Sequence, residues 1–241
     1  MARKHRQAVC ATIPDSYLKN LELKSIQQYI KGGDRLLDVG CGNGYTCYWI
    51  REHIDVSVKG IDFSEEMIRV AQSMLSSQEK IEFQVESVTD LSSPDECFDV
   101  VLSERCLINL CSWEEQMRAM DQICRVLKKG GLFIMAEAFS EPLDNLNELR
   151  CLVGLPSIRQ KWHNIYINEQ SLLLFAEKNF YLKSIDNYSS LYYILTRVVS
   201  PKIGEMEKKH TGYQDPINYV ASLLPSTGNY GPQKTIVLEK K

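Results

Sequence analysis

The sequence predicts an α/β fold, a doubly wound and mostly parallel sheet with helices on both faces. Two observations carry this. Short apolar runs alternate with amphipathic stretches over most of the 241 residues, the pattern of strands joined by crossover helices. The first complete run, "RLLDV", is followed at once by glycines at every second position, Gly40, Gly42 and Gly44. A turn so built brings backbone close to a ligand beyond the strand ends of such a sheet.

Taken in order, the segment from Asp15 to Lys31 spaces Leu18, Leu21, Ile26, Tyr29 and Ile30 as a helix does, with an Asp or Ser to cap it and "GG" behind it. It is a leading helix. "RLLDV", the helix Tyr45 to His53 and the strand "VSVKGI" follow. The helix from Ser64 to Ser77 has Ser64 as cap, Glu65 and Glu66 in its first turn, and a stripe of Met67, Val70, Ala71, Met74 and Leu75 expected to face the core. "IEFQV" and "FDVVLS" are strands three and four. In "SWEEQMRAMDQICRVLKKGG", Ser112 and Glu115 form a capping box, Trp113, Met117, Met120 and Leu127 share a face, and Lys128, Lys129 and two glycines are expected to close the helix. "LFIMAE" is a fifth strand, Asn168 to Lys178 a helix, "YLKSIDNY" a sixth strand and "QKTIVLEK" a seventh. Residues 138–167 and 189–232 are too long for plain connections and carry apolar and aromatic residues of their own, so both are expected to be packed insertions.

Composition narrows the partners. The formal net charge is −3 and 44% of residues are hydrophobic, so the chain can bury a core and lacks the basic surplus of a nucleic-acid binder. The eight cysteines include no CxxC and no zinc spacing. They are expected to be reduced thiols in a cytoplasmic protein. The N-terminal "MARKHRQAVCATIP" has no apolar core of a signal peptide, and no stretch reaches the roughly 18 apolar residues of a span. Neither secretion nor membrane insertion is expected, and no metal set is visible.

A glycine turn followed by a helix offers backbone amides to an anionic group, which by itself says only that the ligand is nucleotide-like. The dinucleotide fingerprint would place its third glycine one residue beyond Gly44. Asp62 ends the second strand 18 residues after Gly44, where a carboxylate can accept hydrogen bonds from both hydroxyls of a ribose.

Together "LLDVGCGNGY", "VKGIDFSEEMIRVA", "IEFQVESVTDL", "FDVVLSERCLINL" and "VLKKGGLFIMAE" resemble the successive motifs of class I S-adenosylmethionine-dependent methyltransferases, over about Leu36 to Glu137. Ordered motifs are far more specific than one glycine loop. The resemblance implies a single domain over 1–241 with seven strands, the last antiparallel, a cofactor-binding core at about 35–137, and insertions forming a substrate lid. It implies S-adenosylmethionine as cofactor and S-adenosylhomocysteine as product. Gly40, Gly42 and the adjoining Asn43 would line the methionine portion, with Asp38 orienting its amino group or merely capping the turn. Asp62 would hold the ribose, Phe63 pack on the adenine, Ser87 and Val88 sit at the adenine edge, and Ser103 end the strand that aims at the methyl group. Ser87 departs from the family, which often has an Asp there.

Methyl transfer is an in-line displacement, so the protein chiefly aligns donor and acceptor and excludes water. The chain lacks the Pro-Pro-aromatic motif of exocyclic-amine enzymes and any Pro-Cys pair for cytosine chemistry. Both insertions should emerge at the carboxyl edge of the sheet and cover a small acceptor. Glu137, at a strand end, is a candidate base or a cap. His163 is a candidate base or a structural hydrogen-bonding residue. Trp162 is a pocket wall or core, Asn164 a polar contact, and Arg105 either binds an acidic group or forms a salt bridge. Tyr192, Tyr193 and Arg197 come from the second insertion, and only one of the tyrosines can face the pocket if the segment is regular. The expected reaction is methylation of oxygen or nitrogen on a small metabolite, with no nucleic acid and no membrane involved. "SERCLINL" and "WHNIY" resemble segments of methyltransferases from surface-polysaccharide and secondary-metabolite genes, which suggests a sugar-like acceptor. The alternatives are a protein or RNA methyltransferase, a non-catalytic S-adenosylmethionine-binding protein and, last, a nicotinamide oxidoreductase.

Overall fold

The computed structural model describes residues 14–75, 80–210 and 212–241. The expectations for the N-terminal segment, Cys10 and the end of the second crossover helix beyond Leu75 lie outside them. The sheet has seven strands: β1 (Arg35–Val39), β2 (Ser57–Asp62), β3 (Ile81–Val85), β4 (Phe98–Glu104), β5 (Leu127–Ala138), β6 (Phe180–Asp186) and β7 (Gln233–Lys240). Their order is β3-β2-β1-β4-β5-β7-β6. The first five are parallel, and β7 runs antiparallel to both its neighbours.

Strands buried on both faces read as continuous apolar runs, successive side chains entering opposite cores. Leu36, Val58, Val100, Leu102, Ile134 and Val237 join one cluster, with Ile26 of helix α1 (Ser16–Gln27), Ile50 of α2 (Tyr45–His53), and Ile68 and Ala71 of α3 (Glu65–Ser73). Leu37, Val101, Phe133, Met135, Ile236 and Leu238 join the other, under Met120 and Ile123 of α4 (Trp113–Val126) and Leu172 of α6 (Glu169–Ala176). Three caps fall where the sequence puts them: Asp15 Oδ1 accepts from Leu18 N, Ser64 Oγ from Met67 N and Ser112 Oγ from Glu115 N. Asn168, expected inside its helix, caps it instead, Oδ1 accepting from Ser171 N.

Two expectations are corrected. The lysines and glycines after α4 do not close that helix: Val126 ends it, Leu127 is already extended and pairs with Phe98, and the glycines sit in an irregularity between that pair and Val100↔Leu132. Gly130 has φ +72°, and a Cβ on Gly131 would meet Lys128 O at 2.8 Å, so both serve a strand bulge. On α3 the buried pair is Ile68 and Ala71, one turn apart, while Met67, Val70 and Leu75 are exposed. That helix packs on β2 and β3, and β3 is the outermost strand, so only a narrow face is covered.

Both insertions carry structure. Residues 138–167 contain α5 (Ser140–Leu152) and end in a bridge between Phe139 and Ile167. Residues 189–232 form one helical run, α7 (Ser190–Tyr193), a π-helical turn (Ile194–Val199) and α8 (Ser200–Glu207), and then α9 (Pro216–Leu223).

Candidate active site

The glycine turn is left-handed at all three positions, φ being +71° at Gly40, +53° at Gly42 and +77° at Gly44. L-residues with side chains avoid this region. The reasons for small size differ. A Cβ on Gly40 would lie 2.6 Å from Cys106 and one on Gly44 2.6 Å from Phe83, whereas one on Gly42 would meet nothing within 4 Å, because Gly42 borders an open cavity. Gly44 also caps α2, whose first residues Tyr45 and Thr46 line the same cavity. Asp62 ties the turn to β2: Oδ2 accepts from Gly42 N and Oδ1 from Ser64 N, both at 2.9 Å.

The cavity has a volume of about 470 Å³. On one side lie Asp38, Gly40, Gly42, Asn43 and Thr46; across it lie Ala138, His163, Asn164 and Tyr166 from the first insertion and Tyr193, Arg197 and Tyr213 from the second. Asp38 is the outstanding group. Its Oδ2 accepts a 3.1 Å hydrogen bond from Cys47 Sγ, while Oδ1 is buried with no partner among the described residues. Burial first, and then the nearby Glu104, push this carboxyl up to about 7, against the pull of Cys47 and Lys19. A buried acceptor without a donor is costly, and a cationic donor arriving in the cavity would relieve it.

The cavity floor is a buried charge cluster that sequence reading missed. Lys19 of α1 donates to Glu22 Oε2 (3.1 Å), Thr46 Oγ1 (3.0 Å) and Glu104 Oε2, and Arg105 Nη1 lies 2.8 Å from both Glu22 oxygens while Nη2 donates to Glu104. Burial alone would raise Glu104, but Lys19 and Arg105 outweigh it and hold its carboxyl well below the usual range. Arg105 has φ +50°, a left-handed conformation that turns its guanidinium toward the cluster. The ion-pair reading of Arg105 therefore holds, and Arg105 is not a free anion receptor. Lys19 and Glu22 look in sequence like an i,i+3 pair on a solvated helix face; nothing local announces their burial.

The remaining predicted residues divide. Phe63 is 82% exposed just beyond β2, Ser87 is exposed with Oγ 2.9 Å from Thr89 Oγ1, Val88 is buried in the core and Ser103 is fully buried. Glu137 does not reach the cavity. Its Oε1 accepts from Cys106 N and Leu107 N at 3.0 Å each, capping the 3₁₀ turn Leu107–Asn109, and burial raises its carboxyl to about 7 against those donors. It is a cap, and its expected role as a base is corrected. His163 and Asn164 do line the cavity, Asn164 Nδ2 donating to Asn109 Oδ1 at 2.8 Å. Trp162 between Lys161 and His163 is 94% exposed and points away, so it is neither wall nor core. Tyr193 is the tyrosine that faces the cavity, with its hydroxyl 3.2 Å from Gln233 Oε1. Tyr192 is buried elsewhere, donating to Asp15 Oδ1 at 2.7 Å. Arg197 reaches Asp15 Oδ2 at 2.9 Å and lies over the rings of Tyr193 and Tyr213.

Known proteins place the glycine turn in a family. Residues 36–131, which span β1 through the bulge of β5, match the methyltransferase-domain family. These residues form a class I, S-adenosylmethionine-dependent methyltransferase domain. Ajmaline N-methyltransferase of Rauvolfia serpentina is 33% identical over 147 residues, 57% of this chain and 50% of that protein. O-methyltransferase rstn1 of Aspergillus nomiae is 33% identical over 135 residues, 52% of this chain and 59% of its own. The chain thus spans between about a fifth and three fifths of the length of the curated relatives it matches. The PH0226 protein of Pyrococcus horikoshii has a similar fold, with a TM-score of 0.64 and 19% identity over 97% of this chain and 99% of that one. The cavity of the methyltransferase domain fits the cofactor: Asp38 Oδ1 lacks the donor that an ammonium supplies, and the space beside Gly42 admits a ligand against bare backbone.

Proposed function

We propose that the protein transfers the sulfonium methyl of S-adenosylmethionine to an oxygen or nitrogen of a small acceptor. The observation that carries this is one cavity shared by the glycine turn with Asp38 and by residues of both insertions. In this reading Asp38 accepts from the ammonium of the methionyl portion, and Gly40, Gly42, Asn43 and the α2 N-terminus line it. Asp62 receives the ribose hydroxyls, Phe63 covers the adenine, and Ser87 with Val88 borders it. Lys19 and Glu104 set the charge of the floor.

The acceptor lies against the insertions, which act as a lid. Asn109, Asn164 and Gln233 offer amides there and Tyr166, Tyr193 and Tyr213 offer rings with hydroxyls, a lining suited to a polyhydroxylated, sugar-like molecule. The protein's part in an in-line displacement is to hold the acceptor atom behind the methyl carbon and exclude water. His163 is the imidazole in the cavity and takes the acceptor proton where the acceptor must lose one. Among the described residues no helix is long and apolar enough to cross a membrane, and seven cysteines are free thiols, in keeping with a reducing, cytoplasmic setting.

The test is calorimetric titration with S-adenosylmethionine, S-adenosylhomocysteine and NADH, with Asp62→Ala as control, followed by a radiolabelled-methyl screen of small acceptors. Binding of the first two, lost in the variant, and label transfer to a small molecule are expected. Binding of NADH alone, or label passing only to protein or RNA, overturns the reading.

A further inference from the structure

The chain as a whole is acidic, with a formal net charge of −3, yet two surface stretches, one of which reaches the cavity at Lys161 and His163, are net basic. Residues 150–163 contain no acid, and with 202–210 they carry Arg159, Lys161, Lys202, Lys208 and Lys209 on the surface against Glu205 and Glu207. Lys202 pairs with Glu205 and Lys209 with Glu207, while Arg159, Lys161 and Lys208 have no ion-pair partner among the described residues. Arg150, the remaining base of these two stretches, is spent on backbone, donating to Pro156 O and Arg197 O.

Among these bases stand apolar side chains that nothing covers. Trp162 is 94% exposed, Leu152 82% and Met206 76%, with Ile203 one helical turn before Met206 also exposed. The two stretches are adjacent, since Lys202 Nζ lies 3.9 Å from the position a Cβ would take on Gly154 and Arg150 bridges to the π-helical turn. The patch is also continuous with the cavity: Lys161 and His163 line it while Trp162 between them points outward. These side chains project from the end of α5 (Leu152), a loop (Trp162) and α8 (Ile203 and Met206). Protruding aromatic and aliphatic groups with bases among them are what an anionic bilayer surface rewards, the apolar tips entering the headgroup boundary and the bases meeting lipid phosphates. No spanning helix is needed for this.

We propose that this face docks on an anionic lipid surface, so that the cavity mouth opens at the bilayer. The inference concerns where the enzyme works and stands apart from which atom it methylates. The full chain is floated with vesicles of phosphatidylcholine alone and of phosphatidylcholine doped with phosphatidylglycerol. The expected result is flotation only with the doped vesicles, lowered by at least about twenty-fold in K208E/K209E and by about ten-fold in Leu152→Ser/Met206→Ser. All four positions lie outside the cavity, so both variants are expected to keep the thermal shift induced by S-adenosylmethionine, which shows that they are folded. The proposal is overturned if the folded protein floats with neither vesicle, or if flotation is unchanged in both variants. It is also overturned if sedimentation finds a dimer that the same substitutions dissociate while lipid binding is absent, which would assign the patch to a second copy.

Discussion

Burial places two carboxyls, Asp38 and Glu137, at about 7, so folding favours their protonated forms. Their contribution is full below the ordinary carboxyl range and is lost as pH rises through about 7. Without cofactor the protein is expected to melt lower at about pH 8 than at about pH 5, and Asp38→Asn to flatten that profile by removing one of the two titrations. Melts across this range read both effects; an unchanged slope in the variant would remove Asp38 from the account. Glu104, held low by Lys19 and Arg105, behaves oppositely and loses its contribution only in acid below this window. Cofactor binding should run against the stability trend, strengthening as Asp38 ionises, and Asp38→Asn should weaken it by roughly ten- to a hundred-fold, the scale of a hydrogen bond to a charged group. Gly42→Ala separates folding from binding. Its Cβ meets nothing within 4 Å but needs φ +53°, so a stability loss of about 1–2 kcal/mol with cofactor binding lost in calorimetry is expected. Gly40→Ala, which drives a Cβ to 2.6 Å from Cys106, should be much more damaging to the fold. At this scale the glycines were legible because few residues can serve a left-handed turn. Glu137 was misread because strand position cannot say that three backbone N–H groups lie within its reach.

Helix α1 shows how an element can be recognised while its packing is missed. Leu18 and Ile26 announce it and Asp15 caps it, but its inner face also carries Lys19, Glu22 and Ser25, all nearly or fully buried. It docks through charge on Glu104 and Arg105 and through Ser25 on Thr235. Removing one member of a buried ion cluster strands the others. Arg105→Ala is therefore expected to cost about 3–5 kcal/mol in chemical denaturation, a loss of stability larger than any change in acceptor KM at temperatures where the variant is folded. The companion Glu22→Ala/Arg105→Ala should be less destabilised than the two single losses combined, because each leaves the other's partner unpaired. Additive losses would show that the two side chains do not interact. The same scale explains the misplaced end of α4. Two lysines and two glycines are ordinary helix-closing residues, and only the partnership of Leu127 with Phe98 across the sheet shows them to be strand.

For the whole molecule, the glycine turn, both insertions and α1 meet at one cavity, so ligation there should tighten all of it. At about 100 times its Kd, S-adenosylmethionine stabilises by roughly 2.7 kcal/mol, which for a chain of this size raises Tm by about 5–10 °C. Scanning fluorimetry should find this shift with S-adenosylmethionine and S-adenosylhomocysteine and none with NADH; a shift with NADH alone would contradict the assignment. The sequence by itself determined the layer order of the domain, its parallel core and the side on which the cofactor turn sits. Those rest on short-range rules: period-two burial in strands, caps at helix starts, and glycine where φ is positive. Only the tertiary structure decided which polar residues meet. That Lys19 lies on Glu104, that Arg105 is tied to Glu22, that Tyr193 and not Tyr192 faces the cavity, and that Trp162 stands in solvent all depend on where segments distant in sequence come to rest. A charged or aromatic side chain carries no local mark of the partner it will find there.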